Sequence, residues 1–168
     1  EITQEKTFLV VSAIEFIVVL IDVFKVPKEN IFFLDENGTD GTIGPSVKSL
    51  VVRQVFGFCA EQVLSVEDVE MKKFDFVVGN PPFSTTNPGK QSGKRSVVLY
   101  PEFYKKAVGM ADTVAMIMPD TTNYASSAHN DFLIETNAKA YSISDDMHNV
   151  MGIIIKTWYV ISSKADDT

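Results

Sequence analysis

Asn80-Pro81-Pro82-Phe83 follows directly on the apolar run Phe74-Asp-Phe-Val-Val-Gly79. Asn80 offers a neutral amide oxygen, Pro81 has no N–H and fixes its own φ, and Pro82 stiffens the chain further, so carbonyl acceptors are held in place by covalent geometry. Phe83 adds an aromatic face. An exocyclic amino group conjugated with a ring is a poor nucleophile, because its lone pair is delocalised. Two acceptors, the Asn80 side-chain oxygen and the Pro81 carbonyl, suit its two hydrogens and favour a pyramidal nitrogen whose lone pair points at an electrophilic methyl. Positioning and fixed dipoles would supply most of the rate of such a step, with no metal and no strong base required.

The elements that must hold this tetrapeptide alternate between short β-branched runs and longer helical ones. Strands are expected over 7–11, 30–34, 61–66, 74–79 and 113–118. Helices are expected from Ser12 to about Lys25, from Pro45 to a stop at Gly57, over 101–108 closed by Gly109, and over 123–136. Ser12-Ala-Ile-Glu15 has the spacing of a capping box, in which Ser12 accepts from the third helical N–H and Glu15 reaches back. Two last strands, over 139–144 and 153–161, have the look of a hairpin. Strands that are nearly all apolar, alternating with helices, imply an α/β fold with a mostly parallel sheet covered on both faces. In such sheets ligands bind at the carboxyl ends of the strands. Ser12, Glu15, Asp35, Glu36, Glu67, Asp68 and Asn80 are the polar residues there. The 66–74 link is short for a crossover between parallel strands.

A chain of 168 residues, 45% hydrophobic and 22% charged, is large enough for one domain with a real core. The lone Cys59 cannot form an internal disulfide, and two histidines, His129 and His148, make no zinc set with it. A metal-free, cytoplasmic protein is the expectation. The most apolar stretch, 8–24, is interrupted by Ser12, Glu15 and Asp22 and falls short of the roughly 20 apolar residues a membrane span needs. Fifteen Lys and Arg against 22 Asp and Glu leave a net charge of -7, which excludes a broad basic surface for nucleic acid. A local patch remains open: between Ser84 and Tyr100 lie Lys90, Lys94 and Arg95 and no acidic residue, which is what a phosphate clamp requires.

The segment 72–83, Lys-Lys-Phe-Asp-Phe-Val-Val-Gly-Asn-Pro-Pro-Phe, resembles motif IV of S-adenosylmethionine-dependent amino-methyltransferases. More narrowly, it is similar to the strand and loop of adenine-N6 DNA methyltransferases of the phage or restriction-modification type. Leu99-Tyr-Pro-Glu-Phe-Tyr-Lys-Lys-Ala107, Ala115-Met-Ile-Met-Pro119 and Lys156-Thr-Trp-Tyr-Val-Ile161 resemble their next helix, next strand and last hairpin strand. The resemblance implies a Rossmann-like, seven-stranded, mostly parallel sheet ending in an antiparallel hairpin, with S-adenosylmethionine as cofactor and a DNA adenine as substrate. The motif order is that of the gamma-type arrangement. In that arrangement a target-recognition domain is expected after the hairpin, and the sequence stops at Thr168. The expectation is therefore a minimal catalytic core, one domain over 1–168 without a separate target-recognition domain, with a recognition subunit as partner.

By position, the resemblance gives Asn80, Pro81, Pro82 and Phe83 the catalytic roles, with Phe83 stacking on a flipped base. Asp35 or Glu36 would accept from the ribose hydroxyls and Asp68 from the adenine amino group. Ser12 and Ala13 would line the methionine end, and Glu15, the capping-box residue, is also a cofactor-binding candidate. Where the family normally has a glycine-bearing first loop, 8–15 reads Phe-Leu-Val-Val-Ser-Ala-Ile-Glu, with no glycine. Two other readings stand beside this one. One is a protein glutamine N-methyltransferase, whose family typically ends the tetrapeptide in tyrosine; the other is an inactive methyltransferase-like binding or scaffold module.

Overall fold

The computed structural model describes residues 4–34, 46–81, 84–85, 97–98, 100–119, 131–142 and 157–164. Strands β1 (Phe8–Val11), β2 (Ile31–Leu34), β3 (Val63–Leu64), β4 (Phe74–Gly79), β7 (Ala111–Pro119), β8 (Lys139–Ser142) and β9 (Thr157–Ser163) form a seven-stranded sheet of order β3-β2-β1-β4-β7-β9-β8. The pairs β3·β2, β2·β1, β1·β4 and β4·β7 are parallel, and β9 is antiparallel to both β7 and β8. The expected α/β sheet with an antiparallel closing pair is therefore present. Its order runs outward from β1 to β3 on one side and from β4 on the other, so the switch point lies between β1 and β4.

All four residues of β1 are fully buried because both faces of the sheet are covered. On one face, Phe8, Val10, Ile31 and Phe33 pack against Ile17, Leu20 and Val52. These come from α1 (Glu15–Val18) with its π-helical continuation Val19–Val23, and from α2 (Val47–Val55). On the other face, Leu9, Val11, Leu34, Val77 and Met116 meet Val69, Tyr104, Ala107 and Phe132. These belong to α3 (Val66–Glu70), α4 (Tyr100–Met110) and α5 (Asp131–Glu135). The Tyr104 hydroxyl bonds to Ser162 Oγ at 2.9 Å, and burial pushes its pKa up to about 12.

Several expected boundaries move, each for a local reason. The first helix begins at Glu15 rather than Ser12, and it ends when Lys25 takes φ 56° and the Val26 N–H donates to the Leu20 carbonyl. The third strand shrinks to two residues between the 3-10 turn Ala60–Gln62 and α3, so the short link to β4 carries a helix of its own. Gly109 does not close α4, which runs on to Met110; no neighbour crowds this position. The ends of the polar loop pair as an antiparallel two-stranded ribbon, β5 (Ser84–Thr85) with β6 (Val97–Val98). Gly57, with φ 67°, does end α2, and Ser46 caps its start by accepting from the Ser49 N–H. Pro45, 120–130 and 143–156 lie outside the described residues.

The switch-point pair is clamped at its amino end by Asp75. One carboxylate oxygen accepts from the Thr7 N–H (2.9 Å) and the Thr7 hydroxyl (2.8 Å), and the other from Lys6 Nζ (2.6 Å). The hydrogen bond from Lys6, with those from Thr7, holds the Asp75 carboxyl below the usual carboxylate range. A depressed folded-state value contributes stability that is complete above the unfolded carboxylate value and is lost as pH falls through the folded one. Asp75→Asn is therefore expected to lower the urea midpoint at pH 7. The gap from the unaltered chain should begin to close below about pH 4, where an unfolded aspartate protonates, and vanish once the folded carboxyl is protonated as well.

Candidate active site

The site is built around the carbonyl of Val11, the last residue of β1. It accepts from the Ala13 N–H at 2.7 Å and from the Asn80 N–H at 3.1 Å. The first bond closes a three-residue turn centred on Ser12, whose φ of 60° lies in the left-handed region. The second ties the residue after β4 to the same atom. Gly79 makes this approach possible: a Cβ there would lie 2.2 Å from the Val11 oxygen and 2.8 Å from the Val11 Cβ.

The glycine-free first loop thus makes a tight turn, with Ser12 taking the left-handed conformation at a cost of roughly 1–2 kcal/mol. That conformation also explains why the expected capping box is missing. An N-cap sits in the extended region with its oxygen over the following N–H groups. Ser12 is turned away, Ile14 is the N-cap of α1, and no side chain caps it. The Ser12 residue is only 7% exposed, and its Oγ is buried without a hydrogen-bond partner.

Ser12, Ala13, Ile14, Glu15, Lys48 and Asn80 line one open cavity of about 220 Å³. Four of the residues expected at the site from sequence therefore come together: Ser12, Ala13, Glu15 and Asn80. Pro81 follows Asn80 and is buried. Asp68 is not among the lining residues. Its carboxylate accepts from the Ser65 hydroxyl (2.8 Å) and Ser65 N–H, while its own N–H donates to Ser65 Oγ (3.1 Å), a capping box that starts α3. Asp35, Glu36, Pro82, Phe83, Lys90, Lys94 and Arg95 lie outside the described residues.

Sequence reasoning missed two residues. A glycine ending an apolar strand signals a close backbone approach, which was the available clue to Gly79. Lys48 gave none, since it stands in a helix far along the chain. Among the described residues no cluster of three or more His, Cys, Asp or Glu could hold a metal ion. Among them, too, no helix is long and apolar enough to cross a membrane.

A seven-stranded sheet of this order, with its antiparallel closing pair and a cavity at the β1 and β4 carboxyl ends, is the methyltransferase fold. The chain belongs to the Eco57I restriction-modification methylase family, whose model matches residues 17–159. Among solved structures it is similar to the M protein of the type I restriction enzyme EcoKI (TM-score 0.58, 12% identity), covering 94% of this chain and 39% of that one. It is also similar to a protein of a type I R-M system (0.59, 15%), covering 93% and 37%. A third is the N-terminal domain of human METTL16 in complex with SAH (0.50, 11%), covering 97% and 64%. The chain spans less than two thirds of the length of each. No curated protein matches it in sequence.

Two substitutions test the loop geometry. Ser12→Gly removes the left-handed strain and the unpartnered hydroxyl, and thermal unfolding is expected to show a gain of about 1 kcal/mol after the added chain entropy. Gly79→Ala forces β4 away from Val11, and chemical denaturation should show a loss of about 1–3 kcal/mol, as for other overpacked cores.

Proposed function

We propose that the chain transfers a methyl group from S-adenosylmethionine to the exocyclic amino nitrogen of adenine in DNA. The observation that carries this reading is the bond from the Asn80 N–H to the Val11 carbonyl, which sets Asn80 on the same cavity as the Ser12–Glu15 loop. The residues suit the cofactor. An unpartnered buried hydroxyl, a carboxylate and an ammonium line a cavity at the sheet's switch point, where such folds bind ligands. Ser12, Ala13 and Glu15 would hold its methionine end and Asp35 or Glu36 its ribose. When bound, the cofactor supplies an electrophilic methyl on a positively charged sulfur.

The remaining work falls to the chain's own groups. The Asn80 side-chain oxygen and the Pro81 carbonyl accept the two amino hydrogens and turn the nitrogen lone pair toward the methyl. Because these acceptors are held by the sheet and by proline geometry, they need little reorganisation as positive charge develops on nitrogen. Phe83 stacks on the base after it leaves the helix. Lys90, Lys94 and Arg95 neutralise nearby phosphates, which a chain of net charge -7 needs locally. The family match to a restriction-modification methylase supports DNA over protein as substrate, as does phenylalanine rather than tyrosine at position 83. A recognition subunit would supply the target sequence.

Asn80→Ala is the direct test. Methyl transfer to adenine-containing duplex DNA should fall by about 100-fold or more, the scale seen when a preorganised polar group is removed. Calorimetric affinity for S-adenosylhomocysteine should stay within about twofold. Equal activity in the variant would remove Asn80 from the chemistry. A chain that gains no thermal stability even from millimolar S-adenosylmethionine would be a binding module instead.

A further inference from the structure

Lys48 occupies the second position of α2, after the N-cap Ser46, and lines the cavity with Ser12 and Glu15. A cation in the first turn of a helix opposes the helix dipole, and α2 has no acidic residue in that turn to offset it. No ion pair among the described residues joins Lys48 to Glu15 or to any other carboxylate. The Ser12 hydroxyl is the second unsatisfied group at this place: its oxygen is buried and unpartnered in a residue only 7% exposed. A hydroxyl left so costs free energy that a bound acceptor would recover. The residues that line the cavity therefore carry a cation at Lys48, an unpartnered hydroxyl at Ser12 and a carboxylate at Glu15.

An anion alone fits this poorly, because Glu15 would repel it. A group carrying both charges fits all three residues. We propose that Lys48 and Ser12 bind the α-carboxylate, and Glu15 the α-ammonium, of the amino-acid end of the cofactor. Lys48 is then the residue that sets preference for ligands retaining the carboxylate. The inference rests on the cofactor reading above and extends it to a residue on a different helix. No bond is made or broken at this end; the contacts position the sulfur relative to Asn80.

Calorimetry on the full chain with two ligands separates the roles. The probes are S-adenosylmethionine and its decarboxylated form, which keeps the sulfonium, the methyl and the amine but lacks the carboxylate. The unaltered chain should bind S-adenosylmethionine about tenfold or more tighter, the scale of one charge-assisted hydrogen bond. Lys48→Met should lose about that factor for S-adenosylmethionine and almost nothing for the decarboxylated ligand, so that the preference collapses. Lys48→Arg should keep most of it. An equal loss for both ligands would make Lys48 a structural residue and overturn the inference. So would an undiminished preference in Lys48→Met, or an effect confined to DNA affinity, which would make Lys48 a phosphate contact. Failure of both ligands to bind the unaltered chain would remove the cofactor reading and this inference together. Binding by the unaltered chain without the Lys48 effect would remove this inference alone.

Discussion

One carbonyl oxygen, that of Val11, fixes the relation between the two halves of the candidate site. Its bond to Ala13 shapes the loop after β1, and its bond to Asn80 places the first residue after β4. Because both donors meet one acceptor, the loop and the tetrapeptide cannot move independently without breaking a buried bond. The approach is possible only because Gly79 has no side chain to strike that oxygen. At the opposite end of the same strand pair, Asp75 holds Lys6 and Thr7, so the switch-point strands are locked in register at both ends.

The arrangement is locally costly. Ser12 sits in the left-handed region, its hydroxyl is unsatisfied, and Lys48 opposes the dipole of its own helix. None of these stabilises the free chain. They are offset by β1, whose four side chains are buried between two apolar layers, and by the β4 and β7 strands beside it. Concentrated cost at a strand's carboxyl end, supported by a fully buried sheet beneath, is the usual signature of a place kept for a ligand.

Membership of the Eco57I restriction-modification methylase family and the fold point the same way, although identities to the solved structures are only 10 to 15%. At that distance the fold carries the likeness, since few side chains are shared. The turn after β1 forms here without a glycine, because a γ-type turn needs one positive φ and a small polar residue can supply it at modest cost.

The amino-acid sequence by itself determined the alternation of strands and helices, the buried parallel sheet and the Asn80-Pro81-Pro82-Phe83 tetrapeptide after β4. Each of these follows from local periodicity or from covalent geometry, and needs no knowledge of distant contacts. The capping box at Ser12 to Glu15 was legible as a spacing yet is not made, because the pairing of Ala13 with Val11 turns Ser12 out of the extended region. Conversely, the true capping box at Ser65 and Asp68 binds the carboxylate that chain position alone would send to the cofactor. The convergence of Lys48 with Ser12, Glu15 and Asn80 was invisible in sequence. Lys48 stands more than thirty positions from both the Ser12–Glu15 loop and Asn80, and only the packing of α1 and α2 on one face of the sheet brings them to a common cavity.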